Sequence, residues 1–204
     1  DSLKKPLIYY KNNVFESANL LEVLCDEDIL KKRKDRTPIP IIFSSSCATY
    51  GVPKEVPINE SCIQNPINPY GRTKLIVEMM IKDLASSNNL KSVILRYFNA
   101  AGASTDSLIG EDHNPETHLI PLLIRGALGI EKEINIFGND HSTFDGTCIR
   151  DYVHVVDLAN AHVLALESIS KEKNSCINPE RYCLEYNVGT GKGFSVLQII
   201  KTVE

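Results

Sequence analysis

Tyr70 and Lys74 stand four positions apart and are residue types that together could move a proton. A phenol titrates at about 10, and a neighbouring ammonium favours the phenolate and draws that value down toward neutrality. A phenolate is then a general base for a hydroxyl group. Four-residue spacing puts the two side chains on one face only if the segment is helical. Tyr50 and Lys54 share the spacing, but Gly51 and Pro53 lie between them and exclude a helix that presents both. Before Tyr70, Asn68-Pro69 supplies an N-cap and a proline at the first helical position, opening a helix that runs to about Asn88. Spacing alone leaves two readings open, a catalytic pair and an ordinary helix face.

Two further segments belong beside that pair. Phe43-Ser44-Ser45-Ser46-Cys47-Ala48-Thr49-Tyr50-Gly51 follows an apolar run, so its serines fall at the carboxyl end of a strand. In a parallel α/β sheet the ligand crevice lies at those ends. A serine hydroxyl there can bond a substrate oxygen and relay its proton, or it can satisfy backbone groups at the turn. Asn99, in Leu95-Arg-Tyr-Phe-Asn-Ala-Ala-Gly102, occupies the equivalent position after the next strand. Ser46, Asn99 and Tyr70 are therefore expected to converge on one crevice.

The elements that must position them can be read from apolar periodicity. Leu7, Tyr10, Val14, Phe15, Ala18, Leu21, Leu24 and Leu30 predict a long helix from about Pro6 to Lys34, ended by Pro38 and Pro40. Ile39–Ser44 is a short, continuously apolar run, the pattern of a strand buried on both faces, and Ser92–Phe98 reads as a second buried strand. Further on, the pattern predicts helices over Leu119–Gly129 and Val155–Ile169, and short strands over Ile134–Phe137 and Glu185–Val188. A last helix begins at Ser195. Alternating strands and helices point to an α/β fold with a parallel sheet. Ser170–Arg181, polar and carrying Asn-Pro, is the segment expected to tolerate insertion.

Composition removes several function classes. The 204 residues carry 22 Lys and Arg against 26 Asp and Glu, a net charge of −4, so there is no basic field for a nucleic-acid backbone. No apolar run approaches the roughly 18 residues of a membrane span. The six cysteines form no C-x-x-C pair and no dense framework, which fits free thiols in a reducing, cytoplasmic setting. Gly189-Thr-Gly-Lys-Gly193 lacks the spacing of a dinucleotide-binding turn and reads as a turn leading to an N-cap at Ser195. His113 and His118, near Glu111 and Asp112, do not share a helix face and read as a loop with solvated charges, not a metal site. His154 and His162 read as packing or capping residues.

The order of motifs carries a resemblance. Ser44-Ser-Ser46…Tyr50-Gly, Pro69-Tyr-Gly-x-x-Lys74, Arg96-Tyr-Phe-Asn-x-x-Gly102, Ile109-Gly-Glu-Asp112, Phe137-Gly-Asn-Asp140, Asp145-Gly-Thr-Cys-Ile-Arg-Asp-Tyr-Val-His154 and Tyr186-Asn-Val-Gly-Thr-Gly191 follow one another here. The chain resembles the UDP-glucose 4-epimerase family of the extended short-chain dehydrogenase/reductases over essentially its whole length. The Tyr/Lys motif is superfamily-wide, and the Phe-Gly-Asn-Asp to Arg-Asp-Tyr run is the more specific part.

That resemblance implies a partial Rossmann-like, doubly wound parallel sheet with a small C-terminal substrate-binding lobe. Residues 1–110 would be the C-terminal half of an NAD-binding domain. Residues 111–204 would be mainly the lobe, with the last Rossmann strand near 183–190. It implies Tyr70 as base, Lys74 as its electrostatic activator and a ribose-binding group, and Ser46 as the hydroxyl bridging tyrosine and sugar O4. Asn12 and Phe98 resemble NAD contacts, beside Ser46, Tyr70 and Lys74. Asn99, His118, Leu119, Asn135, Ile136 and Phe137 match positions that hold the nucleotide sugar and uracil, and Arg150 matches the arginine on the diphosphate. The implied activity is transient oxidation at sugar C4 by NAD in galactose metabolism, in a homodimer built on the helices from Pro6 and Pro69.

The family's glycine-rich first turn and its C-terminal Arg-x-Gly-Asp segment are not in the sequence. The expectation is a piece of a larger enzyme that binds NAD poorly by itself. Two alternatives stand beside it: a relative acting on UDP-pentoses or uronates, and a non-catalytic dimerisation module. A dehydratase is disfavoured by Cys47-Ala48, where acidic residues are expected.

Overall fold

A computed structural model describes residues 1–34, 36, 38–88, 90–171 and 183–204. The chain forms two compact units, Asp1–Tyr97 with Asn160–Val188, and Phe98–Ala159 with Gly189–Glu204. The insertion-tolerant segment expected at Ser170–Arg181 falls largely outside the described residues.

The first unit is built on a parallel sheet in the order β1-β2-β5, with β1 at Ile41–Ser46, β2 at Ser92–Tyr97 and β5 at Cys183–Val188. β2 lies between the other two, and Ser92 through Arg96 are all buried. A central parallel strand is covered on both faces, which is why its sequence is apolar without alternation. Ile94 points to the face where Leu21, Val77, Ile81 and Leu90 pack. Val93 and Leu95 point to the other, against Ala165 and Ile169. Apart from Leu90, which lies between α4 and β2, these partners come from α2 (Glu16–Cys25), α4 (Pro69–Asn88) and α6 (Val155–Lys171). β1 begins two residues later than the apolar run suggests, so that Ser44, Ser45 and Ser46 lie inside the strand.

The long helix expected from Pro6 is divided. α1 (Pro6–Tyr9) passes into a π-helical turn at Tyr10–Phe15, then into α2. Asp26 leaves the helical conformation at ψ 121° and its carboxylate caps α3 (Glu27–Lys31) through the Ile29 N–H at 2.9 Å. An aspartate that offers the backbone a local bond competes with helix continuation, and here it wins. The Pro69 helix, by contrast, has the predicted limits, with the Asn68 side chain accepting from Gly71 N at 2.8 Å.

In the second unit, β3 (Asn99–Ala101) runs parallel to β4 (Ile149–His154), which pairs antiparallel with β6 (Gly193–Ser195). The helices α5 (Leu119–Ala127) and α7 (Val196–Val203) pack together. Ser195 caps α7 in a capping box with Gln198, as the sequence predicts, and also donates to Asp145 at 2.5 Å. That bond, with the Thr147 N–H and hydroxyl, holds the Asp145 carboxyl below its ordinary pKa. Asp151 accepts from Thr190 N at 3.0 Å and Gly191 N at 2.9 Å, closing the Gly189–Gly193 turn on a carboxylate. The strand expected at Ile134–Phe137 is irregular, since no neighbouring strand pairs with it and Phe137 is 87% exposed. No helix among the described residues is long and apolar enough to cross a membrane.

Candidate active site

Ser46, Tyr70 and Lys74 all belong to the first unit, and the structure brings them together. β1 ends at Ser46, the chain makes a single 3-10 turn at Cys47–Thr49, and α4 starts beneath that turn at Pro69. The approach is close. A Cβ added to Gly71 would stand 2.4 Å from the Ala48 carbonyl oxygen and 2.9 Å from Pro66 Cβ. Glycine at this position lets the first turn of α4 carry Tyr70 up to the serine.

The Ser46 hydroxyl stands beside the Tyr70 phenol and favours its charged form. The Tyr9 ring stands edge-on to Tyr70, with centroids 6.3 Å apart and planes at 85°. Lys74 lies one turn on, its Nζ 5.8 Å from the Tyr70 ring centroid and 5.0 Å from that of Phe43. The ammonium donates to the Ser44 carbonyl at 2.8 Å. That bond uses one of its three N–H donors and leaves two for a ligand such as a ribose diol.

The electrostatics differ from the simplest expectation. Burial pushes the Tyr70 phenol above its ordinary value, and the neighbouring Ser46 hydroxyl opposes that shift. Burial lowers the Lys74 pKa, and the Glu78 carboxylate pulls it back up. The pair sits partly withdrawn from water, where each charge is worth more than at the surface.

The remaining expected site residues are distributed as follows. Asn12 is exposed on the π-helical turn, while its neighbour Asn13 donates to Thr73 Oγ1 at 2.9 Å and ties that turn to α4. Asn99 opens β3, His118 is the residue before α5, and Leu119 is its first residue. Phe98, half-buried, packs beside Gly189, where an added Cβ would meet the ring at 2.9 Å. Asn135, Ile136 and Phe137 lie on the exposed irregular segment, and Arg150 is exposed on β4. All of these except Asn12 belong to the second unit.

His113, Glu116 and His118 bring ligand-type atoms within 4.8 Å of one another, a proximity their spacing did not suggest. The Glu116 carboxylate accepts from the Thr117 and His118 N–H groups at 2.6 and 2.7 Å and so closes the loop on itself. His154 Nδ1 accepts from Val156 N at 3.2 Å, a cap on α6, and His162 Nε2 stands 2.8 Å from Ser44 Oγ. Tyr50, the second tyrosine with a lysine four residues on, is 1% exposed and directs its hydroxyl to Asn187 at 2.8 Å.

Sequence reasoning passed over Glu78 and Arg96. Glu78 continues the Tyr70–Lys74 stripe by one more four-residue step, and Arg96 is a cation inside an apolar strand run. Both were visible signals. Arg96 donates to Glu78 through Nε at 3.0 Å and Nη2 at 2.7 Å, and through Nη1 to the Tyr50 hydroxyl at 2.9 Å.

Comparison with known proteins gives consistent matches. The NAD dependent epimerase/dehydratase family matches residues 1–189. A UDP-glucose 4-epimerase of Halalkalibacterium halodurans is 47% identical over 201 residues, 98% of this chain and 55% of that protein. The crystal structure of UDP-glucose 4-epimerase from Brucella ovis in complex with NAD is similar with a TM-score of 0.85 at 47% identity, over 98% of this chain and 57% of that one. The corresponding enzyme from Bifidobacterium longum, in complex with NAD+ and UDP, gives a TM-score of 0.83 at 40% identity, over 98% and 55% of the two chains. The chain thus spans about half the length of the relatives it matches.

Proposed function

We propose, on the premise that this chain belongs to the NAD dependent epimerase/dehydratase family, that the whole protein interconverts UDP-galactose and UDP-glucose. The observation that carries the reading is the Ser46–Tyr70–Lys74 arrangement, a hydroxyl beside the phenol and an ammonium one turn away. Tyr70, as phenolate, takes the proton of the sugar C4 hydroxyl, and Ser46 bridges the two oxygens. Lys74 stabilises the phenolate through its charge and keeps two donors for the cofactor's ribose. The cofactor is NAD, which when bound supplies reversible hydride exchange at C4. Its contacts on this chain are Asn12, Ser46, Tyr70, Lys74 and Phe98.

Asn99, His118, Leu119, Asn135, Ile136, Phe137 and Arg150 hold the UDP-sugar in this reading. Arg150 supplies a guanidinium fork suited to paired diphosphate oxygens. Residues 1–110 then serve mainly the cofactor, and residues 111–204 mainly the substrate, with the strand near 183–190 returning to the cofactor side. The protein is cytoplasmic and acts as a homodimer. Support for the dimer comes from Leu7 (79% exposed), Phe15 (58%) and Met79 (56%), apolar residues left uncovered on the segments beginning at Pro6 and Pro69.

The test is to supply UDP-galactose to the full-length, NAD-loaded protein and follow UDP-glucose with a coupled dehydrogenase. Interconversion is the expected result, and its absence from folded, NAD-loaded protein overturns the reading. Gly71→Ala is expected to push the start of α4 off the Ala48 carbonyl and to slow that reaction by about 10²-fold, the scale of a 1 Å misplacement. A rate within twofold of the parent's would show that the close approach does not set the Ser46–Tyr70 geometry.

A further inference from the structure

Glu78 and Arg96 lie behind the Ser46–Tyr70–Lys74 group, at 0% and 1% exposure, in positions where an ion pair needs a reason. Ser45, Arg96 and Asn187 occupy a single cross-strand row of β1, β2 and β5. From that row Ser45 Oγ and Arg96 both donate to the Glu78 carboxylate. Gln64 Nε2 donates to the same carboxylate at 2.9 Å. Glu78 is therefore the point at which the catalytic helix is bonded to β1 one residue before Ser46, and to β2. On its own helix it follows Lys74 by one turn and Tyr70 by two, a continuous stripe.

We propose that Glu78 is a positioning residue for the proton-transfer pair: it fixes the Tyr70–Lys74 face of α4 against the strand end bearing Ser46, with its carboxylate one helical turn from Lys74. This rests on the epimerase reading of the site and deepens it. The charges around it bear on Lys74. Arg96 pairs with Glu78, and it also meets Glu185 of β5, which pairs with Lys82 at 2.7 Å. Tyr50 faces Arg96, with Glu60 beyond it. Tyr9, Cys47 and Tyr97 face the Tyr70 phenol, and His162 faces Ser44 and Tyr97. Among these, Glu78 is the carboxylate acting on Lys74, and it raises a pKa that burial lowers.

The sign follows directly. Without the Glu78 charge, Lys74 loses its proton at lower pH, so the alkaline limb of the rate profile moves down. Glu78→Gln in the full-length protein is expected to move it to lower pH, and to lower kcat by about 10-fold or more through misplacement, with KM less affected. Lysine-selective NMR, with Lys74 assigned from the signal lost in Lys74→Met, reads the same shift without turnover. A parent protein that does not epimerise ends the functional reading, and the NMR titration still decides the role of Glu78. The paired change Glu78→Leu with Arg96→Met, which leaves no buried ion unpaired, serves if Glu78→Gln does not fold. It is expected to keep the limb near the parent's, because net charge is unchanged, and still to lower kcat. A Glu78→Gln protein whose Lys74 titrates with the parent's overturns the proposal, as does a paired variant with the parent's kcat.

Discussion

Tyr70→Phe in the full-length protein is expected to lower the UDP-galactose to UDP-glucose rate by roughly 10²–10⁴-fold, the range associated with a positioned acid–base group. The substitution removes a single oxygen. Phenylalanine keeps the ring, so the edge contact with Tyr9 and the fit beside Lys74 remain. What is lost is the oxygen beside Ser46 that is proposed to accept the proton. Because the residues proposed to hold the nucleotide portion of the substrate lie elsewhere in the chain, KM is expected to change little, and the effect falls on kcat. Steady-state kinetics with UDP-galactose, on protein whose near-ultraviolet circular dichroism matches the parent's, make the measurement. An unchanged kcat would mean that some other group takes the C4 hydroxyl proton.

The largest effect on stability is expected at Arg96. Arg96→Met deprives Glu78 of its countercharge while the carboxylate stays buried, a change that costs about 3–5 kcal/mol in comparable pairs. A domain's whole net stability is about 5–15 kcal/mol, so this is a substantial part of it. Burial by itself works against the Arg96 cation, and its bonds to Glu78 and Tyr50 reverse that, leaving the guanidinium more firmly protonated than usual. Glu185 is not stranded by the change, since Lys82 remains beside it. Urea unfolding of the full-length protein should show a midpoint shift at nearly constant slope. Adding Glu78→Leu should recover much of the loss, because removing both ions abolishes the desolvation cost along with the attraction. A loss below about 1 kcal/mol, the scale of surface pairs, would contradict the assignment of a buried, mutually dependent pair.

The parts of this protein legible in its sequence are those governed by local rules. The start of α4 followed from Asn68 and Pro69, and the Tyr70–Lys74 face from helical periodicity. β2 followed from an apolar run that only a doubly covered strand needs. Other parts depend on what lies across space. Ile134–Phe137 has strand-like residues and no partner strand, whereas Asn99–Ala101 and Gly193–Ser195 have little strand character and are made into strands by pairing with Ile149–His154. The π-helical turn likewise has no sequence signature, yet it presents Asn13 to Thr73. Arg96 was conspicuous in its strand, but its role requires Glu78, Tyr50 and Glu185, which come from three other segments.

The row formed by Ser45, Arg96 and Asn187 has a consequence for the order in which the site comes into being. The bond between Tyr50 and Asn187 joins residues 137 positions apart, and contacts of such long range are the slowest to form because chain closure precedes any reward. Tyr70, Lys74 and Ser46 lie close together in the chain and can meet early. The third strand of their polar support arrives only after the intervening segment has been made. During synthesis, the residues of the proton-transfer pair therefore emerge long before the backing that holds Arg96 on its β5 side. On the proposed reading, catalytic competence is a late property of the fold, gained with β5 rather than with Ser46, Tyr70 and Lys74 themselves.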